Sequence, residues 1–155
     1  MLSAAIFEET NRVRTFRGVP PLEPLRELDQ AADEQASYMA LMMRAGHSSL
    51  IPNEHTVVDR VRNVGVYGAR IAENVVMESA YGSGASAGGA PTYAALAAFL
   101  VDTWMNSPPH RANLLDPGFT YLGCGARIAH GARDEQMVFA SQVFVLRVSE
   151  PTNPG

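Results

Sequence analysis

The sequence predicts an α+β domain with helices packed on a small sheet. Two observations carry this. Up to Met105, apolar residues recur mostly at three- and four-residue steps, the period of a helix with one buried face. Beyond position 120 the pattern changes to two extended runs, Tyr121 to His130 and Met137 to Arg147. The turn-like Gly131-Ala-Arg-Asp-Glu135 between them predicts an antiparallel hairpin. Helices first and strands last favour helices packed on a sheet. The 155 residues suit one domain, 1–155, with no internal repeat. A chain of this size buries about 70% of its unfolded surface and holds a core without disulfides.

Taken in order, Ala4 to Arg17 reads as a first helix, with Ile6, Val13 and Phe16 near one face and Arg12 and Arg14 supplying charge. Gly18-Val-Pro-Pro-Leu22 breaks it. Leu25 to Arg44 is the clearest helix, its stripe running through Leu28, Ala32, Ala36, Met39 and Met43, with Gly46 as the stop. A loop from His47 follows. Asn53 is placed to cap a third helix reaching Val64, with Val57, Val61 and Val64 as its buried face. Val66 to Arg70 reads as irregular, and Ile71 to Met77 as a short apolar segment with Glu73 and Asn74 in its middle. Ser79 to Ala90, almost all Gly, Ala and Ser, reads as a flexible loop. Pro91 opens a helix carrying Leu96, Phe99, Leu100 and Trp104. In the last strand Val143 and Val145 alternate with Phe144 and Leu146, so both sheet faces are expected to be covered.

Composition narrows the function. The net charge is −4, which leaves no basic footprint for nucleic acid. All 12 basic residues are Arg. No stretch approaches the roughly 20 apolar residues of a membrane span. The single Cys124 cannot form an intramolecular disulfide and reads as a buried structural thiol. The first seven residues lack the basic start of a signal peptide. The chain is therefore either cytosolic or follows a removed leader.

The most informative stretch is Trp104-Met-Asn-Ser-Pro-Pro-His-Arg-Ala-Asn-Leu-Leu-Asp-Pro117. Ser107 before Pro108-Pro109 is an N-cap pattern, with Pro tolerated in the first turn. Asp116-Pro117-Gly118 stops the new helix. His110 is thereby held on a stiff corner at a helix N-terminus, where imidazolium is disfavoured and a neutral ring can bind a metal or accept a proton.

Three titratable residues lack an obvious structural reason: His47 after a helix end, Glu73 inside an apolar segment, and His110. Two His and one carboxylate can make a three-ligand metal site with an open position. They can also run acid–base chemistry with Glu73 orienting one ring. Each has a plainer reading too. His47 suits a C-cap donor, Glu73 suits a partner of a nearby Arg, and His110 suits a solvated helix start. His55, in the first turn of the third helix, and His130, at the hairpin turn, are weaker candidates, and both are expected to be exposed. Of Ser141 and Gln142, one can face the site.

Several pieces, in order, resemble the CAP superfamily of cysteine-rich secretory proteins, antigen five and pathogenesis-related proteins. They are Asn11-Arg-Val-Arg14, Gly18-Val-Pro-Pro-Leu22, Ala31-Ala32 with Ala36, Gly46-His47-Ser48, Asp59-Arg60, Ala72-Glu73-Asn74, Trp104 to Pro117, Phe119 to Gly125 and Gln142-Val-Phe144. The resemblance covers almost the whole chain and points to a bacterial, disulfide-free branch. It implies a three-layer α–β–α sandwich with a central antiparallel sheet, typically secreted or periplasmic. It also implies a cleft in which His47 and His110 hold a divalent metal such as zinc, with Glu73 beside them. The family's further acidic residue, three places after the tryptophan, is Ser107 here, which removes a charge from the cleft.

The leading expectation is thus a ligand-binding domain, more a binder than an enzyme. It would act as a monomer whose partner is a small molecule, a lipid or a protein. One alternative is a hydrolase, with His47, Glu73, Ser107 and His110 as catalytic candidates. Ser107 would be its nucleophile, although the N-cap role competes and no nucleophile elbow surrounds it. The other alternative is a lipid- or protein-binding scaffold with a structural His–Glu cluster.

Overall fold

The computed structural model describes residues 1–80 and 92–147. Most of the loop expected from Ser79 to Ala90 lies outside them, as does Pro91. Among the described residues five helices flank a four-stranded sheet. In chain order they run α1 (Leu2–Phe16), β1 (Glu23–Pro24), α2 (Arg26–Met42), α3 (Val57–Asn63), β2 (Gly68–Ser79), α4 (Tyr93–Met105), α5 (Pro108–Leu114), β3 (Tyr121–His130) and β4 (Gln136–Arg147). The sheet order is β1-β3-β4-β2. The three long strands are antiparallel, and the two residues of β1 add a short parallel edge.

Alternation along β4 builds the three layers. Val143 and Val145 face α2 and α3, packing with Leu28, Ala31, Ala32 and Val61. Phe144, Ala140 and Val138 face the other way, toward Ile6, Leu100 and Trp104 from α1 and α4. Trp104 is fully buried and donates its indole N–H to the Val75 carbonyl at 3.0 Å, tying α4 to β2.

Helix α2 lies directly on β3 because Gly123 and Gly125 have no side chains there. A Cβ on Gly123 would stand 2.1 Å from the Leu28 carbonyl carbon, and one on Gly125 would stand 2.4 Å from the Asp33 nitrogen. Those contacts are helix backbone and cannot rotate away. Gly125→Ala is therefore expected to destabilise by about 3 kcal/mol, the upper end of overpacking costs. Urea denaturation checks this, and a loss below about 1 kcal/mol contradicts so close an approach.

The structure corrects several local expectations. The α1 stripe is Leu2, Ile6, Thr10 and Arg14, four residues apart, while Phe16 is 81% exposed. Arg14 is buried rather than a surface charge; its guanidinium donates to the carbonyls of Pro20, Leu114 and Asp116. α2 ends at Met42, with Met43 rather than Gly46 taking the left-handed position, φ 50°. The cap of α3 is Thr56, in a capping box with Asp59, because Asn53 itself sits in a left-handed turn at φ 64°. His55 consequently precedes α3 rather than lying in its first turn. Thr92 caps α4, its hydroxyl accepting from the Ala95 N–H. Val66 and Tyr67 lie outside any element and the pairing register shifts between Gly68 and Arg70, as the irregular reading of Val66 to Arg70 expects. The segment around Glu73, however, is not short. It is a twelve-residue edge strand paired with β4 along nearly its whole length. Ser107 stands at the N-cap position of α5, but its hydroxyl makes no capping bond.

Candidate functional site

The pleat of β2 explains why Glu73 and Asn74 act on different neighbours. Adjacent residues on a strand point to opposite faces. Glu73 faces the α2–α3 side, the side of its register partner Val143. Asn74 faces the α1–α4 side, with Gln142 opposite. Because β2 is a sheet edge, loops from both layers reach around it.

On the first face, Glu73 is 6% exposed and both its oxygens are engaged. Oε1 lies 3.0 Å from Nδ1 of His47. Oε2 accepts from Arg60 Nη2 at 2.6 Å and from Ser141 Oγ at 3.0 Å. Ser141 reaches it because residues two apart on β4 share a face. An ionised carboxylate only accepts hydrogen bonds, so the contact assigns the N–H to Nδ1 of His47 and turns Nε2 away from Glu73. The loop carrying His47 is fixed from below. Gln35, fully buried in α2, donates to the Gly46 carbonyl at 2.5 Å, and Arg60 donates to the His47 carbonyl at 3.2 Å. The His47 side chain itself is 55% exposed. It borders a shallow groove lined also by Tyr38, Met42 and Arg44. His110 is not among that groove's walls.

On the second face, Asn74 anchors α5. Its amide donates to the His110 carbonyl at 3.1 Å, and its oxygen accepts from Asn113 at 3.0 Å. The network continues inward through Gln142 to Thr10 of α1. Arg14 closes the far end of α5, placing a cation where helix carbonyls lack partners. His110, half-buried in the first turn, has its pKa lowered, first by burial and second by the charge of His47. Both effects favour the neutral form of His110.

Among the described residues no three His, Cys, Asp or Glu are grouped to hold a metal ion. Both oxygens of Glu73 are already engaged, by His47, Arg60 and Ser141. The C-cap reading of His47 fails because its ring turns to Glu73. The Arg-partner reading of Glu73 holds at the same time as the His47 contact. His55 and His130 are exposed, as expected, and both lie apart from this network: the His55 ring meets the Ser49 carbonyl, and His130 pairs with Asp134. Ser141 faces Glu73, and Gln142 faces the other layer. Cys124 is buried, and burial drives its thiol pKa far up, which leaves it unreactive. Sequence reasoning missed Arg14 and Arg60. The available signal was a charged residue continuing an apolar stripe, Leu2-Ile6-Thr10-Arg14, and one set beside Val57 and Val61.

Solved structures share this architecture. An extracellular protein with an SCP domain from Bacillus anthracis superposes with a TM-score of 0.70 at 24% identity, over 93% of this chain and 40% of that one. An outer surface protein of Borrelia burgdorferi gives a TM-score of 0.66 at 17% identity, over 92% and 90% of the two chains. A cysteine-rich secretory protein of Staphylococcus aureus gives 0.59 at 21% identity, over 94% and 39%. The chain therefore spans about two fifths of the length of the first and third of these. At such identities the likeness establishes the fold. No curated protein matches in sequence. The model of the cysteine-rich secretory protein family matches residues 7–144, nearly the whole chain, and the protein belongs to that family, CAP.

Proposed function

We propose that His47 and His110 together form a cleft that binds a ligand through a divalent metal such as zinc. The observation carrying this reading is the bond from His47 Nδ1 to Glu73 Oε1. A metal-binding imidazole commonly donates its other nitrogen to a carboxylate, which fixes the ring and raises its basicity. The lowered pKa of His110 adds a second ring that is neutral near pH 7. With both Glu73 oxygens occupied, the protein supplies two donors, and water or ligand oxygens complete the shell. A zinc there would supply Lewis acidity toward a carbonyl, carboxylate or phosphate oxygen.

Exposed Met42, Leu50 and Ile51, around the His47 loop, suit the apolar part of such a ligand. The hydrolase alternative has less support. No hydrogen bond joins Ser107 to His47, Glu73 or His110 among the described residues. Among the described residues no helix is long and apolar enough to cross a membrane, and the matched bacterial proteins are described as extracellular, outer-surface or secretory. We place this domain outside the cytoplasm on that likeness.

Calorimetric zinc titration tests the metal. The wild type is expected to bind at least about tenfold more tightly than His110→Ala, since one of two protein donors is lost. Identical affinities remove the metal from the account.

A further inference from the structure

We propose that Arg60 is a positioning residue that sets which ring nitrogen of His47 faces the cleft. Arg60 is on α3 and 1% exposed, so its guanidinium works from beneath the surface. Its guanidinium grips the His47 unit at two separate points. Nη2 donates to Glu73 Oε2 at 2.6 Å, and Nη1 donates to the His47 carbonyl at 3.2 Å, with a longer contact to the Glu54 carbonyl at 3.5 Å. One planar group therefore ties the carboxylate that holds the ring to the backbone that carries it.

The consequence is chemical as well as geometric. Oε2 is saturated by Arg60 and Ser141, so only Oε1 is left to meet the imidazole. Oε1 is an acceptor, so the ring presents N–H at Nδ1 and the lone pair at Nε2. Without Arg60, Oε2 loses its strongest donor and the carboxylate can rotate about its last bond. The His47 carbonyl loses its anchor at the same time. The ring then has no single preferred partner, and both tautomers are populated. Lys cannot replace this function fully. An ammonium is a compact point charge, whereas the guanidinium fork reaches two acceptors at fixed separation.

The proposal rests on the two-imidazole reading only for its effect on metal affinity. The tautomer itself is read on the metal-free protein, so the two can fail separately. The experiment is two-dimensional NMR of ring-¹⁵N-labelled histidine, correlating each ring nitrogen with its carbon-bound protons, at a pH where His47 is neutral. Wild-type His47 is expected to show a protonated Nδ1 and a bare Nε2. Arg60→Gln is expected to show a mixture of both forms, and Arg60→Lys a smaller shift the same way. Zinc affinity should fall by about 10–100-fold in Arg60→Gln, the usual effect of losing an outer support of a metal-binding imidazole.

A protonated Nε2 in the wild type overturns the proposal. So does a wild-type tautomer pattern in Arg60→Gln. Should Arg60→Gln fail to fold, Arg60→Lys carries the same comparison, and an unchanged tautomer there has the same consequence. Zinc that fails to bind a wild type showing the expected tautomer removes the metal reading and leaves the role of Arg60 standing.

Discussion

Replacing Glu73 by Ala is expected to cost about 3–5 kcal/mol of folding stability, because it strands the buried guanidinium of Arg60 without its carboxylate. The Arg60 and Glu73 side chains are each 1% exposed, so water cannot take over the lost partner without opening the α2–α3 layer. Ser141 also loses its acceptor, and the ring of His47 is released. Urea denaturation of wild type and variant reads the loss directly. The double replacement Glu73→Ala with Arg60→Met separates charge from packing. Removing both charges is expected to recover a large part of the stability, since the cost lies mainly in one uncompensated ion. A single variant within about 1 kcal/mol of wild type would mean that Glu73 is not tightly paired at all.

Trp104→Ala is expected to destabilise by a comparable amount, at the upper end of about 3–5 kcal/mol. The indole fills the space between α4 and the sheet and satisfies the Val75 carbonyl of the strand that carries Glu73. Truncation leaves both a cavity and an unpaired acceptor. Trp104→Phe, which keeps most of the volume and loses only the N–H, should recover more than half of the loss. Since Trp104 is the sole tryptophan, circular dichroism rather than fluorescence must follow the unfolding. Equal losses in the two variants would place the stabilisation in the hydrogen bond rather than in packing.

Helices with one regular apolar face were legible from the residues alone. α4 covers Tyr93–Met105, the apolar-periodic segment that reads as a helix, and β3 matches its expected bounds, because period 3.6 and period 2 are local properties. The strand holding Glu73 was harder. Seven apolar-rich residues with two polar ones in the middle fit no period well. Glu73 and Asn74 are there to serve partners far off in sequence, at His47, Arg60, His110 and Asn113. Such a pattern is settled only once β4 has paired with it. Arg14 and Arg60 were misjudged or passed over for the same reason. A charged residue in an apolar stripe is unreadable until its carbonyl or carboxylate partners, up to 102 positions away, are in place. The end of α2 was misplaced because Gly46 is the obvious stop, yet the chain accepts a left-handed Met43 three residues sooner, at a modest strain cost. The His47 and His110 pair could be named from the sequence through family resemblance. What resemblance did not supply is the set of contacts: a carboxylate bonded to the ring of His47, an arginine bonded to that carboxylate, and an asparagine on the opposite face bonded to the backbone of His110.

A crystal structure of the zinc-soaked protein tests the central claim most directly. The account predicts a single ion bonded to Nε2 of His47 and to the His110 ring, at about 2.0–2.1 Å from each nitrogen. Water should fill its remaining positions, and Glu73 should still sit on Nδ1 of His47. An ion held elsewhere, or two imidazole rings turned apart with no density between them, would contradict it.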